Sequence, residues 1–285
     1  MSELEFVSCD LCGIDCSRLL FVENGFNTVK CNNCGLIYLN PRPTEAELVA
    51  GYEKEYFADR RANEGLQLRK AEKQFELMSR HMNKVSKDGP LRVLELGSGI
   101  GAFLKIATER HLDVTGADVS EYACSYSQEK FDVHVLQGII EELELASSSF
   151  DIVAFFDVSS HVRSPRKFFA AISRVLKPHG IVFARVGDKG GVWQWYRRGR
   201  WSAPEHLYHF TRPVLLKYLS DAGLTKVKTY PAFDSSFPSL REHISTRLGL
   251  LNRAVAGGDL VARRIFRLVG LTEDYYIVAE KAPAR

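Results

Sequence analysis

The chain has 285 residues, 45% of them hydrophobic, and a formal net charge of +3 at pH 7. This length and composition can bury one large core plus a small accessory module. No apolar run approaches the ~20 residues that a membrane-spanning helix needs, so we expect no membrane partner. The net charge is too small to indicate nucleic-acid binding by itself.

Two cysteine pairs lie near the start of the chain. They are Cys9-x-x-Cys12 and Cys31-x-x-Cys34, separated by eighteen residues. This spacing is typical of a zinc ribbon, in which four thiolates from two short turns complete a tetrahedral shell. Residues 19–29 between the pairs predict a hairpin that brings the turns together. Because four thiolates leave no open coordination position, the predicted Zn²⁺ is structural.

Disulfides in an exported protein are the alternative for these cysteines. No charged, apolar signal peptide precedes Cys9, so we expect a cytoplasmic protein with reduced thiols. Cys16 and Cys124 have no partners spaced like the two pairs. Cys16 lies close to the first pair but is not expected to be a ligand, and Cys124, in a predicted helix, is expected to be a small packing residue.

A linker and helices follow the cysteine-rich segment. Pro41 and Pro43 impose an extended linker, and the spacing of apolar residues over 66–82 predicts a helix. The chain is thereby divided into a zinc ribbon at 1–42, a helical connector at 43–89 and a larger domain at 90–285. Two amphipathic patterns within 239–269 predict a helical insertion, which we expect to form a cap or the contact of a homodimer.

A glycine-rich turn follows the first strand of the larger domain. The apolar run at 91–96 is typical of a buried parallel strand, and Gly97, Gly99 and Gly101 separate it from a helical pattern. The N–H groups at the start of that helix favour an anionic or zwitterionic ligand. Gly97, Gly99 and Ala102 also match the fingerprint of dinucleotide binding.

Two acidic residues discriminate between these ligands. Glu95 precedes the first glycine, where a carboxylate would repel a pyrophosphate but can bind an ammonium group. Asp118 ends the next strand, 112–118, about 20 residues after the turn, where a carboxylate can accept hydrogen bonds from both hydroxyls of a ribose. The predicted ligand is a nucleoside with a positively charged, amino-acid-like tail, and not NAD.

These residues resemble the class I S-adenosylmethionine-dependent methyltransferases, over roughly residues 90–230. Residues 150–153 resemble the family's fourth strand, 157–161 the loop after it, and 174–180 the turn before strand five. The resemblance implies a Rossmann-like methyltransferase fold, a doubly wound α/β architecture with a seven-stranded, mostly parallel sheet. We expect strands near 91–96, 112–118, 133–136, 150–155, 181–186, 226–230 and 275–280. The resemblance also implies that S-adenosylmethionine is bound by Glu95, Gly97, Ser98, Gly99, Gly101, Asp118, Val119, Ile139 and Asp157.

The segment 187–211 is long for a connection between a strand and a helix, and it is rich in aromatic residues and histidines. In a doubly wound fold it leaves from the carboxyl ends of the strands, over the ligand crevice. Residues 205–210, Glu-His-Leu-Tyr-His-Phe, resemble a segment of bacterial methyltransferases that act on sugars and natural products. That group commonly carries an N-terminal zinc ribbon. The resemblance implies that Glu205 and His206 lie at the acceptor.

Methyl transfer requires that the acceptor be aligned with the methyl group and lose a proton from a hydroxyl or an activated C–H. A histidine titrates near neutrality and suits this step, and we predict His206, supported by Glu205, as the base. His161 and His209 are further candidates, although each of these histidines can equally be an ordinary loop residue bonded to backbone. The family often has a glutamate where this chain has Ser160.

Three aromatic residues precede the glycine turn, Tyr52, Tyr56 and Phe57. In the family, this segment folds over the cofactor, so Tyr56 is a candidate for contact with the substrate. The alternative is that these residues form the aromatic core of a helical cover.

The acceptor is expected to be a small molecule, such as a sugar, nucleotide sugar or natural product, methylated on oxygen or carbon. Arg197, Arg198 and Arg200 in the long loop suit an acceptor that carries phosphate. A methyltransferase acting on rRNA or tRNA is one alternative, but residues 1–40 hold only two cations against five acidic residues, which disfavours nucleic acid. A non-catalytic scaffold that binds S-adenosylmethionine is the other alternative, and the intact glycines and carboxylates argue against it.

Overall fold

The structure, a computed structural model, describes residues 4–52, 54–83, 85, 89–190, 201–232 and 274–283. The predicted insertion at 239–269 and the loop residues Arg197, Arg198 and Arg200 lie outside these ranges. Within the described ranges, none of the helices combines the length and apolar composition required to cross a bilayer.

The described chain begins with five short strands: β1 (Leu4–Glu5), β2 (Ser17–Glu23), β3 (Phe26–Cys31), β4 (Ile37–Leu39) and β5 (Arg42–Pro43). Helical segments follow: α1 (Glu45–Ala50), a 3₁₀ turn (Lys54–Phe57), α2 (Ala58–Ala62) and α3 (Glu64–Met82). Strands and helices then alternate: β6 (Arg92–Leu96), α4 (Ala102–Glu109), β7 (Asp113–Asp118), α5 (Glu121–Phe131), β8 (Val135–Gln137), β9 (Phe150–Phe156), α6 (Pro165–Val175) and β10 (Leu176–Gly187). The remaining elements are β11 (Tyr208–His209), α7 (Arg212–Asp221), β12 (Leu224–Pro231) and β13 (Asp274–Lys281).

The central sheet has seven strands in the order β12-β13-β10-β9-β6-β7-β8. Strand β13 runs antiparallel to both of its neighbours, and the pairs from β10 to β8 are parallel. The predicted α/β fold with a mostly parallel seven-stranded sheet is therefore confirmed. The strand order reverses at β6, which lies between β7 and β9, and doubly wound sheets bind ligands at such a switch point.

Helices cover both faces of the sheet, and β9 shows why its sequence is apolar throughout. Ile152 and Ala154 belong to a core with residues of α3 and α4, whereas Val153 and Phe155 belong to a core with residues of α6. Alternate side chains of one strand are thus buried on opposite faces.

The N-terminal strands form a second sheet that is not confined to the N-terminal part of the chain. Its order is β11-β4-β3-β2, and Tyr208 of β11 pairs with Tyr38 of β4. The predicted hairpin is formed by β2 and β3, joined at Asn24 and Gly25, which both have positive φ as a tight two-residue turn requires. The module predicted as an appendage shares this sheet, and a continuous hydrophobic core, with the larger domain.

The third glycine of the turn after β6 has a packing role. Gly101 precedes α4 with φ of +76°, and a Cβ built on it would lie 2.8 Å from Ser127 Oγ and 2.9 Å from Ser127 Cβ in α5. The sequence predicts Gly101 as a cofactor residue, but the structure places it behind the turn, outside the wall of the cavity described below. A side chain is excluded there by the close approach of two helices.

We predict that Gly101→Ala lowers the free energy of unfolding by about 2–5 kcal/mol, the sum of left-handed strain and overpacking. Gly223→Ala is the matched control, because Gly223 has φ of +73° but nothing within 4 Å of its built Cβ. The control should lose only the strain, about 1–2 kcal/mol. Urea unfolding without cofactor measures both, and equal losses would contradict the packing role.

Candidate active site

A cavity of about 580 Å³ lies at the carboxyl ends of β6, β7, β9 and β10. Its walls come from the turn after β6, the end of β7, the loop after β9 and residues 205–210, and α3 and the 3₁₀ turn also contribute. The cavity therefore occupies the crevice that the topology predicts. Eight of the nine predicted cofactor residues line it: Glu95, Gly97, Ser98, Gly99, Asp118, Val119, Ile139 and Asp157.

The glycine turn is held in place by the second acidic residue. Asp118 accepts hydrogen bonds from the backbone N–H of Gly99 at 2.8 Å and of Ser120 at 3.0 Å. Burial raises the pKa of Asp118, and these two hydrogen bonds oppose that shift. At Gly97, a Cβ would lie 2.5 Å from Val158 Cγ2, so the turn passes too close to the loop after β9 for any other residue. Asp118 thus both fixes the turn and faces the cavity.

Glu95 is a buried carboxyl with an unused oxygen. The residue is only 3% exposed, and its Oε2 has no hydrogen-bond partner among the described residues. Burial, and then the nearby Asp118 carboxylate, raise the pKa of Glu95 well above its ordinary value. Ser98 Oγ is also buried without a partner in the described part of the chain. A cationic ligand group beside Glu95 would stabilise its ionised form.

Asp157 follows β9 and belongs to a group of ion pairs. Its carboxylate pairs with Arg185 of β10 and lies 3.9 Å from Lys70 of α3. Arg185 also pairs with Asp274 of β13 at 2.7 Å. Arg185 and Lys70 were not identified from the sequence, because their partners are brought close only by the sheet order and by α3.

The candidate catalytic residues lie together at the side of the cavity formed by residues 205–210. The ring centroids of His161 and His206 are 4.6 Å apart, and those of His206 and His209 are 6.1 Å apart. Tyr56 reaches the same cavity and packs edgewise on Tyr52 at 5.0 Å. The structure therefore brings together residues that are up to 153 positions apart in the sequence.

His161 is engaged by protein groups around its ring. Its Nδ1 lies 3.2 Å from Tyr52 Oη, and the ring also hydrogen-bonds to the backbone of Glu205. Burial lowers the pKa of His161, an effect that the Glu205 hydrogen bond partly opposes. The side chain of Glu205 is exposed, and its charge adds a smaller effect in the same direction as the backbone hydrogen bond. The sequence predicts support for His206 from Glu205 but not this contact.

His209 has a different environment. It is 2% exposed, neither ring nitrogen has a hydrogen-bond partner among the described residues, and its ring packs edgewise against Trp201 at 4.7 Å. Burial, followed by repulsion from His206, lowers the pKa of His209 well below its ordinary value. A neutral imidazole with so low a pKa is a weak proton acceptor.

Arg60 of α2 was not identified from the sequence. Its guanidinium lies 4.5 Å from the centre of the Tyr56 ring and donates a hydrogen bond to Tyr56 Oη at 3.2 Å. It also lines the cavity and acts on Asp118 electrostatically. One arginine in a short charged helix has no sequence feature that separates it from a solvated side chain.

The four predicted metal ligands form a compact cluster. The thiol sulfurs of Cys9, Cys12, Cys31 and Cys34 all lie within 4.8 Å of one another. Cys9 Sγ lies 3.4 Å from Cys34 Sγ, and Cys12 Sγ lies 3.6 Å from Cys31 Sγ. Tetrahedral zinc with bonds of about 2.3 Å requires sulfur–sulfur distances of about 3.8 Å, so the donor set fits this ion.

Comparison with known proteins finds similarity in the larger domain. Residues 94–184 match the family model of the methyltransferase domain. The matched residues run from β6 into β10 of the central sheet. The fold agrees, because an S-adenosylmethionine-dependent methyltransferase from Archaeoglobus fulgidus superposes with a TM-score of 0.52 at 18% identity, covering 74% of this chain and 94% of that one. One from Thermotoga maritima gives 0.53 at 18% identity, covering 80% and 97%.

Curated relatives match part of the chain. The ubiquinone biosynthesis O-methyltransferase of Photobacterium profundum is 29% identical over 99 residues, which are 32% of this chain and 42% of that protein. The enzyme of the same name from Roseobacter denitrificans is 28% identical over 145 residues, 43% of this chain and 58% of that protein. The chain thus covers less than two thirds of the length of either relative.

The pKa of Glu95 predicts that cofactor binding is linked to pH. In the empty site the raised pKa favours the protonated carboxyl, and a bound α-ammonium group favours the carboxylate, so binding should release a proton. Affinity for S-adenosylhomocysteine should therefore rise as pH increases towards the raised pKa and level off above it. Calorimetry in two buffers of different ionisation enthalpy measures the released proton.

Glu95→Gln should abolish this proton release and weaken S-adenosylhomocysteine binding roughly ten- to hundredfold, the equivalent of one charged hydrogen bond. Glu144→Gln, which changes an exposed carboxylate outside the cavity wall, is the control and should behave as the unaltered protein. Retention of the proton release in Glu95→Gln would assign the linkage to another group.

The cysteine cluster predicts one zinc ion per chain in protein purified with a reductant. Cys31→Ser should lose the zinc and much of its solubility, because small metal-bound folds rarely persist without their ion. Cys16→Ser is the matched control, since Cys16 is an exposed thiol outside the cluster. Elemental analysis that finds no zinc in the unaltered protein, or equal zinc in both variants, would contradict the assignment.

Proposed function

We propose that this chain transfers a methyl group from S-adenosylmethionine to a hydroxyl oxygen of a small-molecule acceptor. The observation that carries the proposal is one cavity that joins the glycine turn and two buried carboxyls to a group of histidines and tyrosines. The relatives named as ubiquinone biosynthesis O-methyltransferases support an oxygen acceptor. Methylation of carbon is the alternative that product analysis distinguishes.

The cavity fits the cofactor at its glycine-turn side. The backbone of Gly97 to Gly99 lines the cavity, and Asp118 lies where it would accept hydrogen bonds from the hydroxyls of a ribose. Glu95 has an oxygen without a partner among the described residues, which would bind an ammonium group. S-adenosylmethionine, when bound, supplies an electrophilic methyl on its sulfonium. The residues of this chain are then required to orient the acceptor and to remove its proton.

His206 is the histidine best suited to accept that proton. Burial lowers the pKa of His161 and lowers that of His209 well below its ordinary value, so each is a weaker proton acceptor than an ordinary imidazole. We propose that His161 and Tyr52 fix the shape of the cavity on its acceptor side and that His206 accepts the proton. Tyr56, fixed by Arg60, forms the adjoining wall.

Residues 205–210 resemble a segment of methyltransferases that act on sugars and natural products, and this resemblance supports a more specific class of acceptor. We propose an acceptor of that class, with the cysteine cluster as a structural zinc site. Zinc would be bound by all four thiolates, and it would stabilise the N-terminal sheet and take no part in methyl transfer.

A screen tests the function directly. The protein is incubated with S-adenosylmethionine and a panel of phenols, catechols, sugars and nucleotide sugars, and S-adenosylhomocysteine formation and product mass are measured. A product heavier by one methyl, attached to oxygen, is expected. Attachment of the methyl group to carbon or nitrogen would contradict transfer to oxygen. Failure of the protein to bind S-adenosylhomocysteine would contradict the whole proposal.

We predict that His206→Ala lowers kcat by about 10²–10⁴, the usual cost of removing a general base, without changing the affinity for S-adenosylhomocysteine. His161→Ala and His209→Ala are the comparison variants, and both should retain more activity. If either abolishes turnover while His206→Ala does not, the base is misassigned. If none of the three lowers kcat, the acceptor is activated by its own chemistry and the enzyme supplies alignment alone.

A further inference from the structure

The tip of the N-terminal hairpin contacts the segment that carries the catalytic candidates. Glu23, the last residue of β2, accepts hydrogen bonds from the backbone N–H groups of Trp201 at 2.9 Å, Ser202 at 3.3 Å and Ala203 at 3.1 Å. The next residue, Asn24, donates from Nδ2 to the carbonyl of Ala203 at 2.8 Å. Two adjacent residues of the hairpin thus hold three successive residues nearly 180 positions later in the chain.

Loss of the hydrogen bonds that Glu23 accepts should be unfavourable in free energy. Trp201 and Ala203 are 1% and 3% exposed, so water has little access to the N–H groups that Glu23 satisfies. A buried backbone donor left without an acceptor costs roughly the full desolvation of that group. The Phe21 ring of the same hairpin packs edgewise on Trp201 at 4.9 Å, which adds an apolar contact to the polar one.

The contact continues into the active site through two short paths. The carbonyl of Ser202 accepts a hydrogen bond from the backbone N–H of His206 at 3.1 Å, so the residues held by Glu23 form the turn on which His206 lies. The Trp201 ring packs against His209, whose ring centroid is 6.1 Å from that of His206. Displacement of residues 201–203 would therefore move His206 through its own backbone.

The rest of the segment has separate anchors. The carbonyl of Ser160 accepts hydrogen bonds from the N–H groups of Leu207 and Tyr208, at 2.8 and 3.1 Å, and Leu39 of β4 donates to the carbonyl of Leu207 at 2.9 Å. None of these bonds involves Glu23. Loss of the Glu23 contact should release residues 201–206 and leave β11 in the sheet.

We propose that Glu23 is a positioning residue: its carboxylate fixes the turn at residues 201–203 and thereby sets the location of His206 relative to the acceptor. The proposal rests on the function proposed above for His206. It gives the N-terminal hairpin a role in turnover, and this role requires no contact between the hairpin and the cofactor.

The test uses the full chain with Glu23→Gln, which retains one acceptor oxygen and turns an amide donor towards the N–H groups, and with Glu23→Ala. Asp15→Asn, an exposed carboxylate of the same region, is the matched control. Hydrogen–deuterium exchange should be at least tenfold faster at residues 201–206 in both Glu23 variants and unchanged at 207–209. Zinc content and S-adenosylhomocysteine affinity should match those of the unaltered protein.

With an acceptor from the screen, kcat should fall roughly ten- to hundredfold in Glu23→Ala, as expected for a misplaced catalytic group, and less in Glu23→Gln. The KM for S-adenosylmethionine should not change. Unchanged exchange and kcat would overturn the proposal, as would a fall in kcat accompanied by lost zinc, which would indicate general damage to the ribbon.

The two proposals fail in different ways. If the unaltered protein does not bind S-adenosylhomocysteine, the proposed function is wrong. Exchange at 201–206, together with the rate at which diethyl pyrocarbonate modifies His206, still tests Glu23. Faster exchange and an altered modification rate in the Glu23 variants support the positioning role, and unchanged rates overturn it.

Discussion

The backbone of residues 201–209 crosses the open carboxyl ends of the parallel strands, and its polar groups must be hydrogen-bonded there because they are shielded from water. The N-terminal sheet supplies most of those partners, through Glu23, Asn24 and the pairing of β11 with β4. The wall of the candidate site, the N-terminal sheet and the cysteine cluster, which includes Cys31 at the end of β3, are consequently parts of one hydrogen-bonded unit.

The cavity has two sides with different physical requirements. The glycine-turn side is built on the first βα unit of the sheet, where backbone geometry and buried carboxyls suit a cationic nucleoside. The histidine side is built on loops whose positions depend on distant parts of the chain. Such a division lets the acceptor side change while the cofactor side keeps its geometry.

The sequence predicted the sheet and the glycine turn well because these depend on local patterns: apolar runs, turn glycines and strand-ending carboxylates. It did not predict that Gly101 packs on Ser127, since that contact depends on how two helices approach. Glu23, Arg60 and Arg185 were missed for a related reason. Each acts through partners that only the tertiary structure brings near, so no spacing in the sequence marks them.

The position of the ligand can be measured in a crystal structure of the protein grown with zinc and S-adenosylhomocysteine. We expect the ribose at Asp118, the ammonium group at Glu95, and the sulfur directed towards the space bounded by His161 and His206, with Glu23 still bound to residues 201–203. A ligand whose sulfur is directed away from the histidines, or a segment 201–209 detached from the N-terminal sheet, would contradict it.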